Sequence, residues 1–223
     1  IGNAQVTISG GTLLGQVIME GTGSIFTMTG GEINNANHAG YNFLQKDGGA
    51  VWIQTGDASM SGGTIKNANA RNGGAIYVKG GSFELSGDGT IQDCVADELG
   101  GAVYVSGGTV TMDGGTITGV SAKEGGAVYV SVTGNPDGNS FTMSDGTIQN
   151  AKATNGNGGA VAVANGKASM SGGSIEQSTA TGNGGAVAVS GGSFTMSGGT
   201  IGGTDLEKST AVNGGAVAVN DGA

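Results

Sequence analysis

Two phrases decide the reading of this chain: Gly-Gly-Ala-Val-Tyr-Val at Gly125–Val130 and Phe-Thr-Met-Ser-Asp-Gly-Thr-Ile at Phe141–Ile148. In both, apolar residues fall on every second position, the period of a β-strand with one buried face. No segment nearby keeps a 3.6-residue period long enough for a helix. Glycines and small polar residues separate the apolar runs, as tight turns require.

Working outward, the first phrase recurs as Gly-Gly-Ala-(Val/Ile)-x-(Val/Ile) from Gly48, Gly73, Gly100, Gly158, Gly184 and Gly214. The second recurs from Val6, Phe26, Ala58, Phe83, Val110, Ala168 and Phe194, and the copy at Phe83 carries one extra residue. The stretch Gln16–Gly21 stands where a further Gly-Gly-Ala phrase is expected. The full period is about 25 residues. Each period predicts three short strands: Ala-Val-Tyr-Val, Phe-Thr-Met, and Thr-Ile with the residues after it. Short strands stacked on copies of themselves make an all-β solenoid, a right-handed single-stranded parallel β-helix. A propeller blade needs about 40 residues and four strands and fits worse. The expectation is a single repeat domain over residues 1–223, about seven full coils, taken from a longer array.

What varies between copies assigns the side chains to faces. Val128 and Val130 have aliphatic counterparts in every copy, while the residue between them is Trp52, Tyr77, Tyr104, Tyr129, Ala162, Ala188 or Ala218. A packed interior does not accept Trp and Ala at equivalent layers, so that position faces out. In the second phrase Phe141, Met143 and Ile148 point in, and Thr142 and Thr147 point out. Small residues after the isoleucine, such as Ala68 and Ala70 or Cys94 and Ala96, line a narrow third side. Length variation concentrates at Asn37–Asp47, Ser131–Ser140 and Gly202–Thr210, the loops where specificity usually sits.

Composition agrees with many thin buried layers. Gly supplies 50 of 223 residues without a collagen period, yet 36% of residues are hydrophobic and only 11% charged, which argues against disorder. The net charge is −9, with eight basic residues of which Arg71 is the sole arginine, so no basic patch exists for nucleic acid or an anionic membrane. No run of 18 apolar residues offers a membrane span. The chain opens Ile1-Gly2-Asn3 without a signal peptide, and both ends read as cut. Cys94 has no partner in the chain, which a secreted solenoid stable without disulfides tolerates.

The Gly-Gly-Ala-(Ile/Val) phrases resemble those of the chlamydial polymorphic membrane proteins and of adhesin-like β-helix proteins of gut bacteria and archaea. The chlamydial second motif is Phe-x-x-Asn, whereas Thr29, Ser86, Ser144 or Ser197 stands here in the fourth place. The Met-Ser-Gly-Gly-Thr-Ile phrases are closer to the gut-type repeats. The resemblance implies a secreted or surface-anchored adhesive protein, and it carries over no catalytic residue.

The candidate binding site is the outward column Trp52, Tyr77, Tyr104 and Tyr129, an aromatic ladder for a glycan or a host or partner protein. Cross-strand packing that stiffens the sheet is the plainer account of the same column. The outward Thr64, Thr90, Thr116, Thr147 and Thr200 read as solvated β-formers rather than an ice-binding array. The Phe and Met stripe is core. Cys94 reads as a small buried residue, and His38 lies in a long loop without acidic neighbours in sequence. No cofactor and no metal ligand set is expected.

Polysaccharide lyases and hydrolases share this fold and need clustered carboxylates on adjacent coils. Here Glu84, Asp113, Asp145 and Glu176 are scattered over non-equivalent positions. Asp93 and Asp97 lie close together, but the slots aligned with Asp93 hold Asn67 and Gly119. The expected function is therefore non-catalytic surface display or adhesion outside the cell. A polysaccharide-degrading enzyme and a secreted or phage fibre are the alternatives. Sequence leaves the oligomeric state open.

Overall fold

The structure is a computed structural model, and it describes residues 4–35, 47–131, 140–203 and 208–220. Among these there is no helix, and so none long and apolar enough to cross a membrane. The strands stack in parallel as a β-solenoid of about 6 turns, with about 27 residues per turn. The period is longer than the 25 residues read from the regular coils. The step from Val103 to Val128 keeps that short spacing, whereas Val128 pairs with Val161 across the insertion after Ser131.

Three sheets form the sides. Short strands such as Val51–Ile53, Ile76–Val78, Val103–Val105 and Val128–Val130 build an 8-stranded sheet. The stretch at Gln16 joins it as expected, because Val17–Met19 pairs in register with Val51–Ile53. A second sheet of 10 strands carries the Phe-Thr-Met and Thr-Ile segments, and a third of 5 strands begins at Asn69–Asn72.

The division of the coil differs from the sequence reading. Phe-Thr-Met and Thr-Ile are expected as separate strands, yet in most coils they form one long strand, as in Asp57–Lys66 and Thr109–Thr118. The glycines between them make a β-bulge, seen as a register shift between Met112 and Thr116, and pairing resumes beyond it. The corner comes after the isoleucine instead. Asn67, Asp93 and Asn150 adopt φ of 54°, 54° and 53° there, and Gly119 adopts 64°. Asn, Asp and Gly enter this left-handed region most readily, which accounts for the residues aligned with Asp93.

The core is one continuous apolar column inside the three sheets. Val51, Ile53, Val128, Val130, Phe141, Met143 and Ile148 are buried, as are Ala68, Ala70, Cys94, Ala96, Ala151 and Ala153 on the narrow side. One inward column reads Val6, Phe26, Ala58, Phe83, Val110, Phe141, Ala168, Phe194 from coil to coil. Phe26, Phe83 and Phe141 thus each face a smaller residue above and below, so large and small side chains interdigitate.

Glycine has a steric cause at the corner of the first phrase. A Cβ on the second glycine of each pair from Gly49 to Gly185 would overlap the carbonyl oxygen of its counterpart in the following coil, Gly74 on Gly101 and Gly101 on Gly126 among them. In the bulge, backbone and side chain of the coil below both fill the space. A Cβ on Gly146 would lie 2.7 Å from the terminal methyl of Met112, and one on Gly173 would lie 2.6 Å from that of Met143.

Candidate functional site

The Val-x-Val strands are only three residues long and lie between a Gly-Gly corner and a second turn. Their flanking valines anchor them to the core, which leaves the middle side chain directed away from it. The registers bring these middle residues into one column: Ile18, Trp52, Tyr77, Tyr104, Tyr129, Ala162, Ala188 and Ala218. All four aromatic residues read from the sequence therefore stand together on adjacent coils.

The rings are not equivalent. Tyr77 and Tyr104 stack with centroids 5.1 Å apart and planes 12° from parallel. Tyr104 and Tyr129 are 5.8 Å apart but tilted by 54°. Trp52, Tyr77 and Tyr104 are partly exposed, whereas Tyr129 retains 9% of its surface. The outward alanines Ala162 and Ala188 are buried as well. Pointing away from the core and meeting solvent are thus separate properties on this side of the solenoid.

Hydroxyl partners set the ring positions. Ser106 Oγ donates a 2.8 Å hydrogen bond to the Tyr77 hydroxyl from the coil that follows. Ser131 takes the same part for Tyr104. Burial raises the pKa values of Tyr77 and Tyr104 above the ordinary tyrosine value, and the serine bonds act against that rise. Tyr129 is pushed up to about 12, first by burial and then by the negative charge of Glu124, to which it hydrogen-bonds. The indole Nε1 of Trp52 is buried without a hydrogen-bond partner.

Ser106, Ser131 and Glu124 were not singled out in the sequence. A signal existed, since a serine directly follows the Val-Tyr-Val strands at Val105 and Val130. Its meaning depends on a register one coil apart.

Other sequence candidates are placed as follows. Thr64, Thr90, Thr116, Thr147 and Thr200 do share a column, with Ser174 between the last two and Glu32 before the first. Glu32 is held below its ordinary carboxylate range, chiefly by its contact with Lys66 at 2.8 Å. The acidic residues are less scattered than expected: Asp113 and Asp145 are cross-strand partners, because the bulge shifts the register by one residue there. Ser144 Oγ donates to Asp113 Oδ1 at 2.6 Å, and the Gly146 amide donates to Asp145 Oδ1 at 2.7 Å. Among the described residues, no three His, Cys, Asp or Glu side chains come together as a metal site. Cys94 is fully buried, and burial pushes its thiol up to about 12. His38 and most of the three variable loops lie outside the described residues.

These features define a parallel β-solenoid with a pre-set aromatic column on its 8-stranded side. No protein-family model matches the chain, and neither a curated protein nor a solved structure matches it.

Proposed function

We propose that the chain is a non-catalytic stalk for surface display or adhesion outside the cell, which touches a glycan or partner protein through its aromatic column. The observation that carries this reading is the alignment of Trp52, Tyr77, Tyr104 and Tyr129 on adjacent coils, with serine bonds holding two of the rings. Aromatic side chains fixed on a rigid sheet lose little entropy on binding and present both apolar surface and hydroxyls. Because Tyr77 and Tyr104 cover each other's faces, a ligand meets their edges and hydroxyl groups. Trp52 and the two stacked tyrosines provide the contact, and the nearly buried Tyr129 closes the column.

The continuous core suits a spacer, since every coil is held by two neighbours and stiffness extends along the stack. The test replaces Tyr77, Tyr104 and Tyr129 together with alanine, the residue that later coils already carry. Glycan arrays and partner pull-downs should show binding by the wild type and at least a tenfold loss in the variant, roughly 1.4 kcal/mol, with its far-ultraviolet circular dichroism unchanged. Binding that persists at full strength would remove the column from the proposal.

A further inference from the structure

Four Asp-Gly dipeptides lie among the described residues: Asp47-Gly48, Asp88-Gly89, Asp113-Gly114 and Asp145-Gly146. Glycine has no Cβ to shield its amide nitrogen, which can therefore approach the carboxyl carbon of the aspartate before it. Whether it does so depends on where the fold holds the two groups. At Asp145-Gly146 they are already together, because the Gly146 amide donates to Asp145 Oδ1 at 2.7 Å. The nitrogen thus lies beside the carbon that it would attack, the proximity that speeds intramolecular reactions.

The other three pairs are held differently. The Gly48 amide donates to the Asn72 carbonyl at 2.9 Å, and Asp47 Oδ1 accepts from Asn72 Nδ2, so both groups are engaged by the following coil. Asp113 Oδ1 accepts from Ser144 Oγ, while Asp113 and Gly114 both stand in the ladder opposite Ser86 and Gly87. Asp88 and Gly89 fall between the paired residues of their strand, yet the contact made at Asp145 is not repeated there.

The bulge also leaves slack in the backbone at this place. Pairing with the coil before runs Met112 to Met143, Asp113 to Asp145 and Thr116 to Thr147, so Ser144 and Gly146 are unmatched. The coil that follows pairs with residues 140–143 and again with residues 147–149, and leaves Ser144, Asp145 and Gly146 open. Asp145 is exposed, so water reaches its carboxyl. A main chain lengthened by one carbon here falls between the buried anchors Met143 and Ile148, where the ladder is already interrupted.

We propose that Asp145-Gly146 is a self-modification site, at which the folded solenoid converts aspartate to isoaspartate through a succinimide. The Gly146 nitrogen attacks Cγ of the protonated Asp145 carboxyl. The new C–N bond closes the ring, and the carboxyl hydroxyl leaves with the amide proton as water. A water molecule then adds to one ring carbonyl and breaks that carbonyl's bond to nitrogen. Opening at Cγ restores aspartate, whereas opening at the main-chain carbonyl leaves the chain running through Cβ and Cγ, which is isoaspartate. One water is lost and one is regained, so no oxidant, reductant or other reactant is consumed.

The test ages the native chain in heavy-oxygen water, in a mildly acidic buffer that keeps a fraction of ordinary aspartate carboxyls protonated. Each ring opening leaves heavy oxygen in the product, and peptide mapping with electron-transfer fragmentation tells isoaspartate from aspartate. Isoaspartate and label should build up at Asp145 about fivefold or more faster than at Asp47, Asp88 and Asp113. The same chain aged in denaturant should lose that ranking, because all four dipeptides then share one chemistry and no fixed geometry. A native rate at Asp145 no higher than at the other three overturns the proposal. So does a lead of Asp145 that survives in denaturant, since it would then owe nothing to the fold.

Discussion

Ser106 on one coil holds the hydroxyl of Tyr77 on the coil before it, at 2.8 Å, and Ser131 holds Tyr104 in the same way. The residue in the corresponding place after Val163 is Ala164, which offers Tyr129 no hydroxyl. Tyr129 turns to Glu124 instead, and its ring tilts by 54° from Tyr104. The stack ends where the next serine is missing. Ser106→Ala should accordingly cost about 1 kcal/mol, the net worth of one buried hydrogen bond. Near-ultraviolet circular dichroism should change with it, while Ser190→Ala, which follows an alanine strand, should leave the spectrum as it is.

Parity is tested by neighbours. Ile148 is wholly buried and Thr147 is directed outward. Ile148→Asn should lower stability by roughly 3 kcal/mol or more, because it leaves an amide between stacked coils. Thr147→Asn should stay within about 0.5 kcal/mol of wild type. Equal shifts in the denaturant midpoint would contradict the assignment of faces.

Glycine at the first corner should be the least replaceable residue. A Cβ on Gly101 would overlap the Gly126 carbonyl and also lie 2.6 Å from the Ser121 amide nitrogen, both of them backbone that cannot step aside. Gly101→Ala should destabilise by about 3 kcal/mol, the upper end of overpacking costs. Gly80→Ala meets a single backbone oxygen at 2.8 Å and should cost less. Chemical denaturation of the two variants checks the order.

Alkaline pH should loosen the solenoid in two stages. Cys94 rises from 9.0 to about 12 and Tyr129 from 10.0 to about 12, in each case because burial disfavours the charged form. A group whose folded value is raised binds its proton more tightly in the native state. Its contribution is complete below the unfolded value and is lost as pH climbs through the folded one. The thermal midpoint should thus hold to about pH 9 and fall towards pH 12. Cys94→Ala should remove the part that begins near 9, and Tyr129→Phe the part that begins near 10. Thiol reagents should label Cys94 only after unfolding, and labelling of native protein at neutral pH would contradict its burial.

The sequence by itself determined the all-β class, the stacking in parallel, the inward and outward faces, and the aromatic column. Each follows from a repeat period and from side-chain alternation, which act over a few residues. The inward Phe26, Ala58, Phe83, Val110 column was not read, since it seats large and small residues at equivalent layers, which the rule that set the Trp52 column outside does not allow. Tertiary structure alone decided the rest. The Gly-Gly pair inside the second phrase can turn a corner or make a bulge, and pairing with the coils on either side selects the bulge. That choice moved the corner to Asn67 and Asp93, and it brought Asp113 opposite Asp145. Exposure along the aromatic column depends on what covers each rung, so Tyr129 and Ala162 are buried despite their parity. The Tyr77–Ser106 bond joins residues 29 positions apart, a distance that the insertions between coils set and that no local pattern encodes.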